Sequence, residues 1–433
     1  MAIAAPNTGT SAASATGQSY GAPLATVTTL FFMWGFLTCL NDILVPHLKS
    51  IFDLNYAKVM LIQFAFFGAY FIFSIPSAKI IDWMGYQRSM VAGLLTMGLG
   101  AFLFVPAASV PSFPLFLGAL IVLAAGITCL QVAANPYVTV LGNPETASSR
   151  LNLTQAFNSL GTFLAPFFGG LLILSAAPMT MDQIRALAPD ALQAYRLHEA
   201  ATVKTPYVGL GIALVVLAVA IGSFKLPKIE DAQHKVGEKV NDSIWKHPNL
   251  IFGAIGIFVY VGAEVSIGSF LVNYFGQPEI GGLTEKVAAS FVAFYWGGAM
   301  VGRFIGSALL QKMKTGGLLA ICAVCAAALV AISMLTSGHI AMYSIILVGF
   351  FNSIMFPSIF TLGVAELGPL TGDGSGVMIM AIVGGAILPV AQGWIADHIG
   401  IHHAFFLPVI CYLYILFFAL SGSKPNSERH AIA

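Results

Sequence analysis

Two carboxylates stand inside long apolar runs, at Asp42 and Glu264, while nearly all of the remaining acids among the eighteen fall between such runs or at their ends. A carboxylate near the middle of a membrane helix costs about 2.5–3.5 kcal/mol on insertion scales, so such a residue is expected to face a cavity and to carry function. No Lys or Arg is expected at the same depth, since Lys79 and Arg303 read as lying near run ends. Without a permanent partner, each acid must take up a proton, bind a cation or hold strong hydrogen bonds whenever its cavity dries. That is the requirement for ion-coupled movement of a solute. The plainer alternative is a structural acid bonded to neighbouring amides.

Neutral polar residues gather near these acids. Thr128, Gln131 and Asn135 share one helical face, and Asn152, Gln155 and Asn158 share another. Gln63 and Asn352 add two more amides from other runs. Amides both donate and accept, as sugar hydroxyls do. Trp296, Tyr295, Tyr260 and Phe356 offer rings on which the apolar face of a sugar can stack. The candidate coupling residues are therefore Asp42, Glu264, Asn41 and Gln131. The candidate substrate-binding residues are Gln63, Asn135, Gln155, Asn158, Glu264, Trp296, Asn352 and Phe356. Asn and Gln also tie membrane helices together, and that reading is preferred for Asn152, near the end of its run.

Other chemistry finds little support. Cys322 and Cys325 have a redox or metal spacing, yet no His or further Cys completes a tetrahedral site, so they read as small residues at a helix contact. His198, His402 and His403 fall in loops or at run ends and are expected to be solvated. The chain has no Gly-rich phosphate loop, HExxH pattern or serine elbow, so no enzymatic activity or cofactor is expected.

The elements that must position these residues follow from composition. Of 433 residues 58% are apolar and only 9% are charged, against about 25% charged in an ordinary soluble domain. A bilayer is the solvent that suits such a chain. Spans are predicted near 24–46, 59–80, 89–108, 113–141, 151–175, 206–226, 249–275, 287–310, 316–336, 339–364, 374–396 and 402–422. Each must satisfy its own backbone, so the spans are helices, and the short alternating segments of a β-barrel are absent. With both termini placed in the cytoplasm, thirteen of the nineteen Lys and Arg fall on that side, as the positive-inside rule asks. The formal net charge of +1 offers no face to nucleic acid.

The expected organisation is a disordered cytoplasmic tail over 1–23, a six-helix half over 24–226, a charged linker over 227–247, a second half over 248–422 and a tail over 423–433. The outer segment from Ser175 to Lys204 carries Met181-Asp182-Gln183-Ile184-Arg185 and a short amphipathic pattern that suggests a surface helix.

The halves repeat. Pro136 with Leu141-Gly142 and Pro357 with Leu362-Gly363 are 221 residues apart. Gly161, Pro166 and Gly170 recur as Gly384, Pro389 and Gly393 at an offset of 223, and Asp42 and Glu264 are 222 apart. Parallel halves around a midplane site are the plan of the major facilitator superfamily. Asp82-Trp83-Met84-Gly85-Tyr86-Gln87-Arg88 resembles that superfamily's loop motif between spans two and three, with Gly302-Arg303 as the expected counterpart in the second half.

A narrower resemblance rests on Leu40-Asn41-Asp42-Ile43-Leu44, Ile62-Gln63, Ala133-Ala134-Asn135-Pro136, Val138-Thr139-Val140-Leu141-Gly142, Arg150-Leu151-Asn152-Leu153, Gln155, Phe157-Asn158-Ser159, Tyr260-Val261-Gly262-Ala263 and Phe356-Pro357-Ser358-Ile359-Phe360. In these stretches the chain resembles the fucose:proton symporter family, nearest its glucose/galactose branch. The resemblance implies an all-α membrane protein of twelve helices in two pseudo-symmetric halves. It also implies a neutral hexose as substrate (glucose or galactose, with N-acetylglucosamine or fucose as variants) and Asp42 as the proton-linked acid. The fucose permease carries a glutamate where this chain has Gln131, and a glutamine at the position of Glu264. The second acid has thus moved from span four to span seven. Sodium is accordingly weighed beside the proton, with Asp42, Thr38 and Gln131 as oxygen ligands. The expected protein is a monomer in a bacterial inner membrane. A proton-coupled drug antiporter is the alternative, and would favour a broad greasy cavity over an amide ring.

Overall fold

The computed structural model describes residues 20–52, 56–110, 112–172, 183, 186–202, 204–227, 229 and 242–425. The side chains of 38, 40–52, 56–61, 166–172, 200 and 285 fall outside that description. Among the described residues the chain is helical throughout, with no strand.

Nine of the described helices are long and apolar enough to cross a bilayer. One of them holds two crossings. Spans two and three form a single run, Tyr56–Ser109, that turns at Gly85. The φ of 80° there is a conformation that glycine adopts without the Cβ clash other residues meet. Span one, Gly21–Phe52, and span five, Ala147–Leu172, complete twelve. Span four is Phe113–Val140, span six Lys204–Ser223, span seven Pro248–Gly276, span eight Glu285–Leu309 and span nine Thr315–Leu335. The last three are segmented. Span ten is Gly338–Asn352 followed by Met355–Gly363, span eleven is Thr371–Met380 followed by Gly384–Ile399, and span twelve is Phe406–Phe417 with a wide final turn over Phe418–Gly422. An even number of crossings brings residue 20, the linker and residue 425 to one face, the linker face.

Between spans five and six a separate helix covers Pro189–Thr202. It lies beyond the Met181–Arg185 stretch, of which only Gln183 is among the described residues.

The two repeat prolines leave matching marks. Proline has no N–H to give the carbonyl four residues back. Pro136 thereby frees the carbonyl of Val132, which accepts from Ser375 Oγ of span eleven at 2.9 Å. Pro357 frees the carbonyl of Ser353, which accepts from Arg303 Nε of span eight at 3.3 Å. The helix ends are also closed by side chains. Arg150 donates to the carbonyls of Val138, Thr139 and Asn143 at the end of span four. Asn249 Nδ2 does the same for Leu362, Gly363 and Ala365 at the end of span ten.

Candidate substrate and ion site between the halves

Span four carries the polar stripe of the first half. Thr128 Oγ1 is engaged with its own helix, donating to Ala124 O. One turn on, Gln131 Nε2 donates to Tyr70 Oη at 2.7 Å, while its Oε1 is buried with no partner. Tyr70 of span two also takes a hydrogen bond from the Trp34 side chain. Asn135 is fully buried and neither of its amide atoms has a protein partner. On span five, Gln155 Nε2 is likewise buried and unpartnered. Buried polar atoms are nearly always hydrogen-bonded, so a cluster of orphans marks a place for ligand or water. Asn158 differs. Its Nδ2 donates to Phe31 O at 2.9 Å and fastens span five to span one. Gln63 is half-buried on span two. Asp42, Asn41 and Thr38 lie on the span-one helix, but their side chains fall outside the described residues.

The second half arranges its polar groups otherwise. Glu264 is half-buried, and its Oε1 accepts from Tyr260 Oη at 2.8 Å. Tyr260 Oη also reaches Asn352 O at 3.1 Å. Asn352 Nδ2 donates to Tyr295 Oη at 2.9 Å, and Asn352 Oδ1 accepts from Tyr412 Oη at 2.8 Å. Asn352 is thus fully engaged by protein. It serves as the hub of a wall built from spans seven, eight, ten and twelve, and the wall holds Glu264. Trp296 is 41% exposed, stands edge-on to Tyr295 and packs over Gly268. It sits seven residues before Arg303, two helical turns away on the same face of span eight. Phe356 stacks with Phe360, with ring centroids 6.2 Å apart.

Arg303 departs from the sequence expectation. It lies six residues inside the end of span eight, and its guanidinium points across the interface. There it donates to Ser159 Oγ and, at 3.4 Å, to Gln155 O of span five. It is no loop residue, and Gly302 before it serves packing, since a Cβ there would press on Phe350 O and Ser353. No carboxylate lies within ion-pair distance of Arg303 among the described residues. His402 also departs from expectation, bonding Met334 O at 2.7 Å against the Tyr274 ring.

The halves meet where spans two and four face eleven, and where five faces eight and ten. Among the described residues the hydrogen bonds that cross this interface lie in the linker-side half of the spans. They are Ser148–Thr361, Ser149–Ser307, Thr315–Ser148, Asn152 Nδ2 to Arg303 O, Ser375 to Val132 O, the Arg303 pair and the ion pair of Lys79 with Asp373 at 2.8 Å. The loop motif contributes here. Lys79 also pairs with Asp82 at 3.4 Å, and Gln87 Nε2 closes the end of span six through Ile221 O and Phe224 O.

Two helical halves latched at one face, with buried unpartnered amides in the first and a half-buried, tyrosine-held acid in the second, define a membrane carrier of the two-domain kind. The sequence matches the Major Facilitator Superfamily over residues 24–382, and the chain belongs to that superfamily. It is 54% identical over 407 residues to the glucose/galactose transporter of Brucella abortus biovar 1 (strain 9-941), covering 94% of this chain and 95% of the relative. Against the putative glucose/galactose transporter of Helicobacter pylori (strain J99) it is 47% identical over 410 residues, covering 94% and 98%. Against the L-fucose-proton symporter of Escherichia coli (strain K12) it is 36% identical over 414 residues, covering 94% of each. The crystal structure of the E. coli fucose:proton symporter superposes with a TM-score of 0.87 at 35% identity, over 94% of this chain and all of that one. A structure of that transporter in the outward conformation gives 0.86 at 34% identity, with the same coverage.

Proposed function

We infer that this chain is a secondary active sugar:cation symporter that imports a neutral hexose of the glucose/galactose class by alternating access. The observation that carries the reading is the division of polar labour. Amide atoms of Gln131, Asn135 and Gln155 are buried without partners in one half, and a tyrosine-held acid stands in the other. Hydroxyls that each donate and accept match that set, whereas a greasy drug leaves it unsatisfied. The latched linker face agrees with an outward-facing carrier, the bacterial relatives agree with an inner-membrane setting, and the excess of Lys and Arg on the linker side favours cytoplasmic termini.

The coupling ion is proposed to act at Asp42. Gln131 Oε1 is an oxygen that Na⁺ would use, while the fucose relatives are named for the proton. The deciding measurement is galactose uptake into proteoliposomes with Na⁺ and pH gradients imposed separately. One gradient is expected to drive accumulation. Asp42→Asn is expected to abolish accumulation while sparing exchange, and a mutant that still concentrates sugar removes Asp42 from the coupling role.

A further inference from the structure

The interface holds a cation that the transport reading leaves without a task. Among the described residues Arg303 is held only by neutral acceptors: Ser159 Oγ and Gln155 O across the interface, and the proline-freed Ser353 O in its own half. Its backbone is fixed. The carbonyl of Arg303 accepts from Asn152 Nδ2 at 2.6 Å. Gly298, Gly302 and Gly306 press span eight onto span ten, with Phe350, Ser353 and Ile354 as their contacts. Only the side chain is free to change partners. Glu264 is an acid in the same region: Tyr260, which holds it, also reaches Asn352 O, and the next carbonyl, Ser353 O, is the one that holds Arg303, although no ion pair joins the two. Glu264 keeps one oxygen on Tyr260, and its other oxygen has no hydrogen-bond partner among the described residues.

We propose that Arg303 is the positioning residue that converts closure of the Glu264 pocket into release of the linker-face latch. The argument rests on the sugar-carrier reading above. While the pocket is wet, water screens Glu264 and the guanidinium stays with span five. When sugar fills the pocket and the opposite face closes, water leaves and the local dielectric falls. The pull between two unlike charges then grows several-fold, whereas hydrogen bonds to a hydroxyl and a carbonyl gain less. The guanidinium swings to Glu264 and lets go of Ser159 and Gln155. Spans five and eight are then held only by the neutral contacts nearer the linker face. A ligand moves such an equilibrium by acting differently on its two states, and here the difference is the Arg303–Glu264 attraction.

The test is hydrogen–deuterium exchange of the linker-side ends of spans five and eight in full-length protein in nanodiscs, with and without saturating galactose. Arg303→Gln is expected to raise exchange of these segments without sugar by roughly fivefold or more. Arg303→Lys, which keeps the charge and loses the fork, should fall between. Glu264→Gln is expected to act in the opposite sense, suppressing the rise that sugar produces in the wild type, and the double variant should resemble Arg303→Gln. With galactose held at saturation for each variant, as fixed by a binding isotherm on that variant, a purely structural Arg303 leaves the Glu264→Gln response to sugar at the wild-type level, and that result overturns the proposal. So does an Arg303→Gln variant with wild-type exchange. If Arg303→Gln does not fold, Ser159→Ala removes the latch acceptor and keeps the charge, and unchanged exchange there is equally fatal. Absence of any galactose response in the wild type would refute the substrate, while the sugar-free comparisons still judge the latch.

Discussion

Gln131 and Asn352 occupy equivalent places in the two halves, each five residues before its repeat proline, and their fates are opposite. Gln131 gives one hydrogen to Tyr70 and leaves its oxygen bare. Asn352 is consumed by tyrosines on both amide atoms and on its carbonyl. The repeat therefore preserves position without preserving role. The first half leaves amide atoms of Gln131, Asn135 and Gln155 without partners, and the second uses Asn352 to brace the tyrosine that holds Glu264, although Gln392 of the second half is itself buried without partners.

Four substitutions break or sharpen that contrast. Asn352→Leu should have the largest effect. It strands the hydroxyl of Tyr412, at about 1–3 kcal/mol for a buried group left unmade, and takes the donor from that of Tyr295, which keeps only its 3.5 Å bond to Glu264 O, so a thermal melt in nanodiscs should fall clearly. Asn135→Leu should leave the melt unchanged or raise it, because it deletes an orphan, while the KM for galactose rises about tenfold, the equivalent of roughly 1.4 kcal/mol. A melt that drops as far as that of Asn352→Leu would dissolve the contrast. Tyr70→Phe removes the acceptor of Gln131 and should lower stability by about 1 kcal/mol, with a KM change smaller than that of Asn135→Leu. Asp373→Asn should cost less than about 1 kcal/mol in the melt, since the Lys79 side chain it pairs with is 60% exposed.

The membrane architecture was legible because lipid imposes one-dimensional rules. Long apolar runs, the glycine at position 85 and the prolines at 136 and 357 each act on their own stretch of backbone. The shared face of Gln131 and Asn135 was legible for the same reason, since helical spacing alone puts them there. Asn352 was not, because its partners come from spans seven, eight and twelve, and nothing near position 352 announces three tyrosine hydroxyls. Tyr70 carries no sequence signal that sets it apart from the other rings, although its hydroxyl holds Gln131. The position of Arg303 near the linker end of span eight was legible, and the reach of its side chain across to span five was not. A long side chain reaches well beyond its own turn, and the proline-freed carbonyl at Ser353 gave it a reason to point inward. The recurrence of Pro357 four residues after Ser353 was the signal that was available.

The latch at the linker face is built mainly from hydroxyls and amides, with Lys79–Asp373 as its one ion pair between the halves among the described residues. Mobile ions screen charges in water but leave dipole-to-dipole bonds in a dry seam untouched. A rise in ionic strength would thus weaken one fastening and leave the others intact, so the latched face is buffered against changes that would loosen a gate made of salt bridges.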